Sequence, residues 1–176
     1  MKKLLFVFSL VTVLVVTGCS ADENEDATAE TETPEEQTTD DQSVQIGLLD
    51  AQSELTSDVA PYQQKINAYQ AAIVDEEADE ATVQAALDEA KTAAEEAAST
   101  LEGYTLDTEL PEEQKAEYEE AISTLQTYYQ EAQTSLDADE VDLTTAQAAW
   151  DEFQVKITSL YEANDLIAPD MASALS

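Results

Sequence analysis

The chain has 176 residues and carries 40 acidic residues against six lysines, with no arginine and no histidine, for a formal net charge of -34. Such a chain has no cationic patch to displace counterions from phosphates or to dock by charge on anionic lipid, which excludes nucleic-acid binding and charge-driven membrane docking. Without histidine there is no imidazole base, no Ser-His or Cys-His pair and no usual zinc or copper ligand set, so no catalytic residue, metal or cofactor is expected and the chain reads as a non-enzyme.

Met1-Lys2-Lys3 is a basic start, and Leu4 to Val16 (LLFVFSLVTVLVV) is an apolar run of 13 residues. At about 1.5 Å per residue this run is too short for a hydrocarbon core of about 30 Å. Basic start, short apolar stretch and small residues after it form the pattern of a secretory signal peptide over residues 1–18. Val16-Thr17-Gly18-Cys19 then resembles a bacterial lipobox, with the only cysteine of the chain at its end. The resemblance implies cleavage between Gly18 and Cys19 and an S-diacylglyceryl group on Cys19, with N-acylation of the new amine as a further modification. A thiol held at the membrane surface by the apolar run supplies the nucleophile, and small residues before it admit the backbone to a narrow protease cleft. One acyl chain holds a protein only marginally, whereas two give stable attachment, so a diacylglyceryl group needs no basic patch beside it.

Residues 19–42 follow as an acidic linker. Ser20 to Gln42 holds ten acids, no lysine, no aromatic residue and no Leu, Ile or Val. Nothing in it buries enough apolar surface to offset the entropy of ordering, so a disordered, charge-extended tether is expected, reaching about 25–30 Å as a flexible coil.

From residue 43 the apolar spacing becomes helical. Leu48, Leu55, Val59, Tyr62, Ile66, Tyr69 and Ile73 form one series, with Gln52 in its single polar slot. Val83, Leu87, Ala90, Ala94, Ala97 and Leu101 form the second; Tyr118, Ile122, Leu125, Tyr129, Ala132 and Leu136 the third; Leu143, Ala146, Trp150, Phe153, Ile157 and Leu160 the fourth. Alternating steps of three and four place one apolar stripe on each helix. Acidic residues 75–79, Gly103, Pro111 and Asp139 or Asp142 mark the helix ends. Pro61 interrupts the first series without shifting its register, which predicts one kinked helix or, as the alternative, two helices divided near Ser57-Asp58. Short connections favour neighbours running in opposite directions. The expectation is an all-α, antiparallel up-down four-helix bundle over residues 43–168, with 169–176 as a C-terminal tail.

Within that bundle the acidic cluster Asp137 to Asp142 (DADEVD) is the best calcium candidate, and it fails the EF-hand pattern: Val141 stands fifth, Asp142 where glycine is needed and Ala148 twelfth. It reads as a capped turn. Carboxylate pairs of the kind that hydrolyse glycosides are lost among the many acids of a solvated exterior. Tyr62, Tyr69, Tyr118, Tyr129, Trp150 and Phe153 fall on the stripes and read as core, whereas Tyr104, Tyr128 and Tyr161 lie off or beside them and are the candidates for a contact surface.

The lipobox, the acidic Ser/Thr-rich spacer and the segments APYQQKI (Ala60 to Ile66) and LPEEQKAEYEEAI (Leu110 to Ile122) together resemble the small helical lipoproteins of Bacillus-type bacteria, including those described as cell-wall-binding. The resemblance implies a lipid-anchored, non-catalytic lipoprotein on the extracytoplasmic face of a Gram-positive cell membrane. Its partners would be the membrane, through Cys19, and cell-wall polymer or an envelope protein. The alternative is a ligand-binding bundle serving a transporter or the envelope as an accessory; a cavity bordered by second-helix alanines and by Tyr104 or Trp150 would favour it. The shortage of basic residues along the whole chain further points to a saline exterior, where screening weakens repulsion among dense carboxylates.

Overall fold

The computed structural model describes residues 34–176, with side-chain environments from residue 41 onward. The expected signal peptide, Gly18, Cys19 and the greater part of the expected acidic linker lie outside the described residues. Five helices follow in order: α1 (Pro34–Val74), α2 (Glu80–Glu102), α3 (Glu112–Leu136), α4 (Thr144–Ala163) and a short α5 (Met171–Ala174). All belong to one compact unit, Glu32–Ser176. There is no strand among the described residues.

The sequence accounts for most helix ends. The Asp79 carboxylate accepts from the Thr82 amide at 2.7 Å and caps α2, and the exchange holds its pKa below the usual carboxylate value. Gly103 closes α2, and Pro111 stands immediately before α3, followed by Glu112 and Glu113 in the first turn. Neither Asp139 nor Asp142 is the N-cap of α4: that position is Leu143, without a side-chain bond. Asp142 just before it accepts from the Thr144 amide at 2.9 Å and the Thr144 hydroxyl at 2.6 Å, a local turn leading into the helix.

Two expectations about α1 are resolved. The helix runs unbroken through Pro61, so the division near Ser57-Asp58 does not occur. Pro61 is exposed while Val59 and Ile66 are fully buried, so the carbonyl of Ser57, which loses its helical donor, lies on the solvent side. The helix also begins at Pro34, so residues 34–42, expected as disordered linker, are helical. A proline at the first position has its φ already set for a helix, and extending a helix already held by packing avoids the cost of nucleation.

The apolar stripes are the buried faces. Every residue of the third series is buried, as are Ala90, Ala94, Ala97 and Leu101 of the second and Ala146, Phe153, Ile157 and Leu160 of the fourth. The alanines of α2 allow close packing between α1 and α3, and α4 lies along α3. Cross-helix pairs align them: Lys65 with Glu89 at 2.6 Å, Lys91 with Asp137 at 3.3 Å and Lys156 with Glu120 at 2.6 Å. Exposed pairs of this kind contribute roughly 0–1 kcal/mol each, so burial of the stripes supplies most of the stability. At Gly47 the α2–α3 connection crosses α1 so closely that a Cβ would lie 2.6 Å from Leu110 Cδ2 and 3.1 Å from the Glu109 carbonyl oxygen.

The last eight residues correct the expected tail. Asp165 adopts φ 57° just past α4, and the Leu166 amide donates to the Tyr161 carbonyl at 2.9 Å while the Asp165 amide donates to that of Glu162 at 3.2 Å. This pair of bonds turns the chain back. Met171 and Leu175 are then buried in the main core, and Gln64 Nε2 donates to the Ser176 carbonyl oxygen at 3.3 Å. Residues 169–176 are part of the packed unit because their apolar side chains enter it beside α1.

Candidate functional site: an uncharged cavity between α1 and α4

α1 and α4 meet at one end of the unit, where Gln45 Nε2 donates to the Asn164 carbonyl at 3.0 Å and the Tyr161 hydroxyl donates to the Leu48 carbonyl at 2.5 Å. Farther along they face each other across a cavity of about 260 Å³. Its α1 wall is Gln63, Asn67 and Gln70; its other walls are Tyr128 of α3, Gln147 and Trp150 of α4, and Ala172 of α5. No charged side chain lines it, although the chain carries a net charge of -34.

The helical repeat explains the α1 wall. Residues 63, 67 and 70 are spaced by four and three, so their carboxamides share one strip beside the apolar stripe of Tyr62, Ile66 and Tyr69. Gln63 is the deepest of them, 7 % exposed. Its Nε2 donates to Asn67 Oδ1 at 2.9 Å and to the Tyr128 hydroxyl oxygen at 3.0 Å, and its Oε1 accepts from the Tyr129 hydroxyl at 3.0 Å. One amide therefore orients two tyrosines. Burial pushes both phenols above the usual value, and for Tyr128 the Gln63 bond offsets part of that rise, so both are protonated donors at neutral pH.

Aromatic contacts hold the other side. Tyr128 meets Tyr129 with ring centroids 4.7 Å apart and Trp150 at 5.2 Å, in both cases edge to face; Trp150 meets Phe153 at 5.6 Å, tilted by 55°. Such contacts fix ring orientation as well as adding attraction. Gln147 on the rim donates to Asp151 Oδ1 at 2.9 Å, which leaves its carbonyl oxygen for other partners.

The tyrosines expected on a contact surface are placed differently. Tyr161 is fully buried and Tyr128 is 6 % exposed, so neither forms an outer surface. Each lies beside its stripe in sequence, yet Tyr161 is drawn in by the Leu48 carbonyl and Tyr128 by Gln63. Tyr104 is half-buried, and its hydroxyl is enclosed without a partner among the described residues. Burial, with Glu54, Asp58 and Asp107 nearby, pushes its pKa up strongly. Trp150, read as core, is half-buried and borders the cavity, whereas the α2 alanines do not. Gln63, Asn67, Gln70 and Gln147 were not singled out from the sequence; the four- and three-residue spacing of the carboxamides at 63, 67 and 70 is the signal that carries the α1 members, and Gln147 has none.

A larger open groove of about 520 Å³ lies between α1 and α2, where Pro61, Tyr62 and Ala93 meet Lys65, Asp88 and Glu89. The Lys65–Glu89 ion pair uses its one cation. Among the described residues no group of three or more His, Cys, Asp or Glu is placed to hold a metal ion, and no helix is long and apolar enough to cross a membrane. Comparison of the chain with protein-family models, with curated proteins and with solved structures found no match.

Proposed function

We propose that this chain is a lipid-anchored lipoprotein of the extracytoplasmic membrane face, and that its helical unit is a non-catalytic binding module for envelope material. The observation that carries the binding part is the uncharged cavity of carboxamide and aromatic side chains within a strongly acidic chain. A solvated bundle of this composition has no need of a neutral recess; a recess with fixed amides and a half-buried tryptophan suits a neutral polar ligand. The anchoring part rests on Val16-Thr17-Gly18-Cys19 after a basic start and a short apolar run. The helices are taken to run up-down-up-down. Supporting that order, residue 91 pairs with 137 and 98 with 126 between α2 and α3, while 120 pairs with 156 between α3 and α4.

Two experiments separate the parts. Cys19→Ala is expected to release the protein into the medium or leave an uncut precursor; a variant cleaved and membrane-bound like the unaltered protein would overturn the anchor. Purified full-length protein is expected to sediment with insoluble cell-wall polymer, and its remaining wholly in the supernatant would overturn the binding module.

A further inference from the structure

Resting on the binding-module reading above, we infer that the cavity between α1 and α4 takes a single uncharged sugar ring, which accepts a hydrogen bond from Tyr128 and lies against Trp150. The hydroxyl oxygen of Tyr128 already accepts from Gln63 Nε2, and the hydrogen of that hydroxyl has no acceptor among the described residues. The side chain is 6 % exposed and borders the cavity, so this donor is available to a ligand there. The second acceptor of Tyr129's partner, Gln63 Oε1, and the amide of Asn67 add capacity of both kinds. Carboxamides donate and accept at once, as sugar hydroxyls do, and this match is unavailable to carboxylates or ammonium groups.

The charge pattern selects against the other ligand classes. An anion entering the cavity meets the field of a chain with net charge -34 and finds no cation to pair with. A cation finds carboxylates everywhere on the surface but none lining this recess. A wholly apolar ligand would take water from Gln70 and from the unbonded Asn67 Nδ2 and Gln147 Oε1 without replacing its hydrogen bonds, which opposes the gain from burial. The volume, about 260 Å³, falls below the roughly 300–1,000 Å³ of sites for drug-sized molecules, so it accommodates one ring of a longer glycan. Trp150 meets Tyr128 and Phe153 at 60° and 55°, so neither neighbour stacks flat on the indole, which borders the cavity where the C–H side of a sugar would lie.

Trp150 is the single tryptophan of the chain, so fluorescence excited selectively at tryptophan, clear of the seven tyrosines, reports on this cavity. The full chain, held in a sugar-free detergent, is titrated with N-acetylglucosamine, glucose, glucosamine and glucuronate up to about 20 mM, where a site of ~1 mM affinity is saturated. A saturable change is expected with the two neutral sugars and not with the cationic or anionic one. Tyr128→Phe keeps the ring and removes the donor; it is expected to weaken binding about three- to tenfold while far-ultraviolet circular dichroism is unchanged. Silence with both neutral sugars, equal binding of the charged sugars, or full affinity in Tyr128→Phe would overturn the assignment. Sedimentation with cell-wall polymer together with a silent titration leaves the binding module standing and removes this site from it. Sugar binding without sedimentation keeps the site and removes envelope polymer as the partner.

Discussion

Replacing Gln63 by leucine tests the polar centre of the unit. Tyr129 is fully buried, and Gln63 Oε1 is the acceptor for its hydroxyl at 3.0 Å. Leucine has similar bulk and no acceptor, so that hydroxyl is left unsatisfied in the interior at a cost of about 1–3 kcal/mol. Tyr128 loses a donor as well, but it borders the cavity, where water takes the place of the amide. The expected loss for Gln63→Leu is therefore about 2 kcal/mol, or roughly 4–8 °C in Tm for a chain of this length. Removing both partners restores shape without a stranded group, so the Gln63→Leu, Tyr129→Phe double variant is expected to regain at least about 1 kcal/mol over the sum of the single losses. Urea unfolding followed by circular dichroism at fixed salt measures all four proteins. A loss under about 0.5 kcal/mol for Gln63→Leu, or simple additivity in the double variant, would refute the view that this amide is the buried tyrosine's partner.

Leu175→Ala, directly before the last residue, is expected to cost about 2–5 kcal/mol because the side chain is fully buried, whereas a loose tail would give a change within about 0.5 kcal/mol. At high pH the buried phenols control stability. Burial raises the folded pKa of Tyr118, Tyr128, Tyr129 and Tyr161 above the unfolded value of 10.0, so their contribution is complete below pH 10 and is lost as pH rises from there. Phenolate absorbance and loss of helicity are expected to rise together above pH 10, and complete ionisation with the helices intact would contradict this. The four lysines of the described residues are all paired with carboxylates, which leaves the remaining acids uncompensated. The Tm is accordingly expected to rise between dilute buffer and molar NaCl, and a Tm that does not rise would set aside adaptation to a saline exterior.

The apolar stripes of the four long helices were legible in the sequence because burial follows the helical period along most of each stripe; Ile73, at the end of the first, is exposed, and Val83, Leu87, Leu143 and Trp150 are half-buried. All six members of the third series are buried, and the series through Pro61 kept its register because one proline on the exposed face leaves the buried face intact. Caps such as Asp79 were legible for a similarly local reason, since a carboxylate and an amide three residues on meet without help from elsewhere. The fate of the polar positions beside the stripes depended on tertiary structure. Tyr128 and Tyr161 flank their stripes as many exposed residues do, and only the presence of Gln63 and the Leu48 carbonyl opposite them makes them interior. The strip Gln63, Asn67, Gln70 is an ordinary solvated face in sequence; it becomes a cavity wall because α4 stands off from α1 at that level and the C-terminal segment packs in beside it. Periodicity reports which face of a helix avoids water. Whether a polar face is covered, and by what, is set by the lateral distance between helices far apart in the chain, and no local pattern encodes that distance.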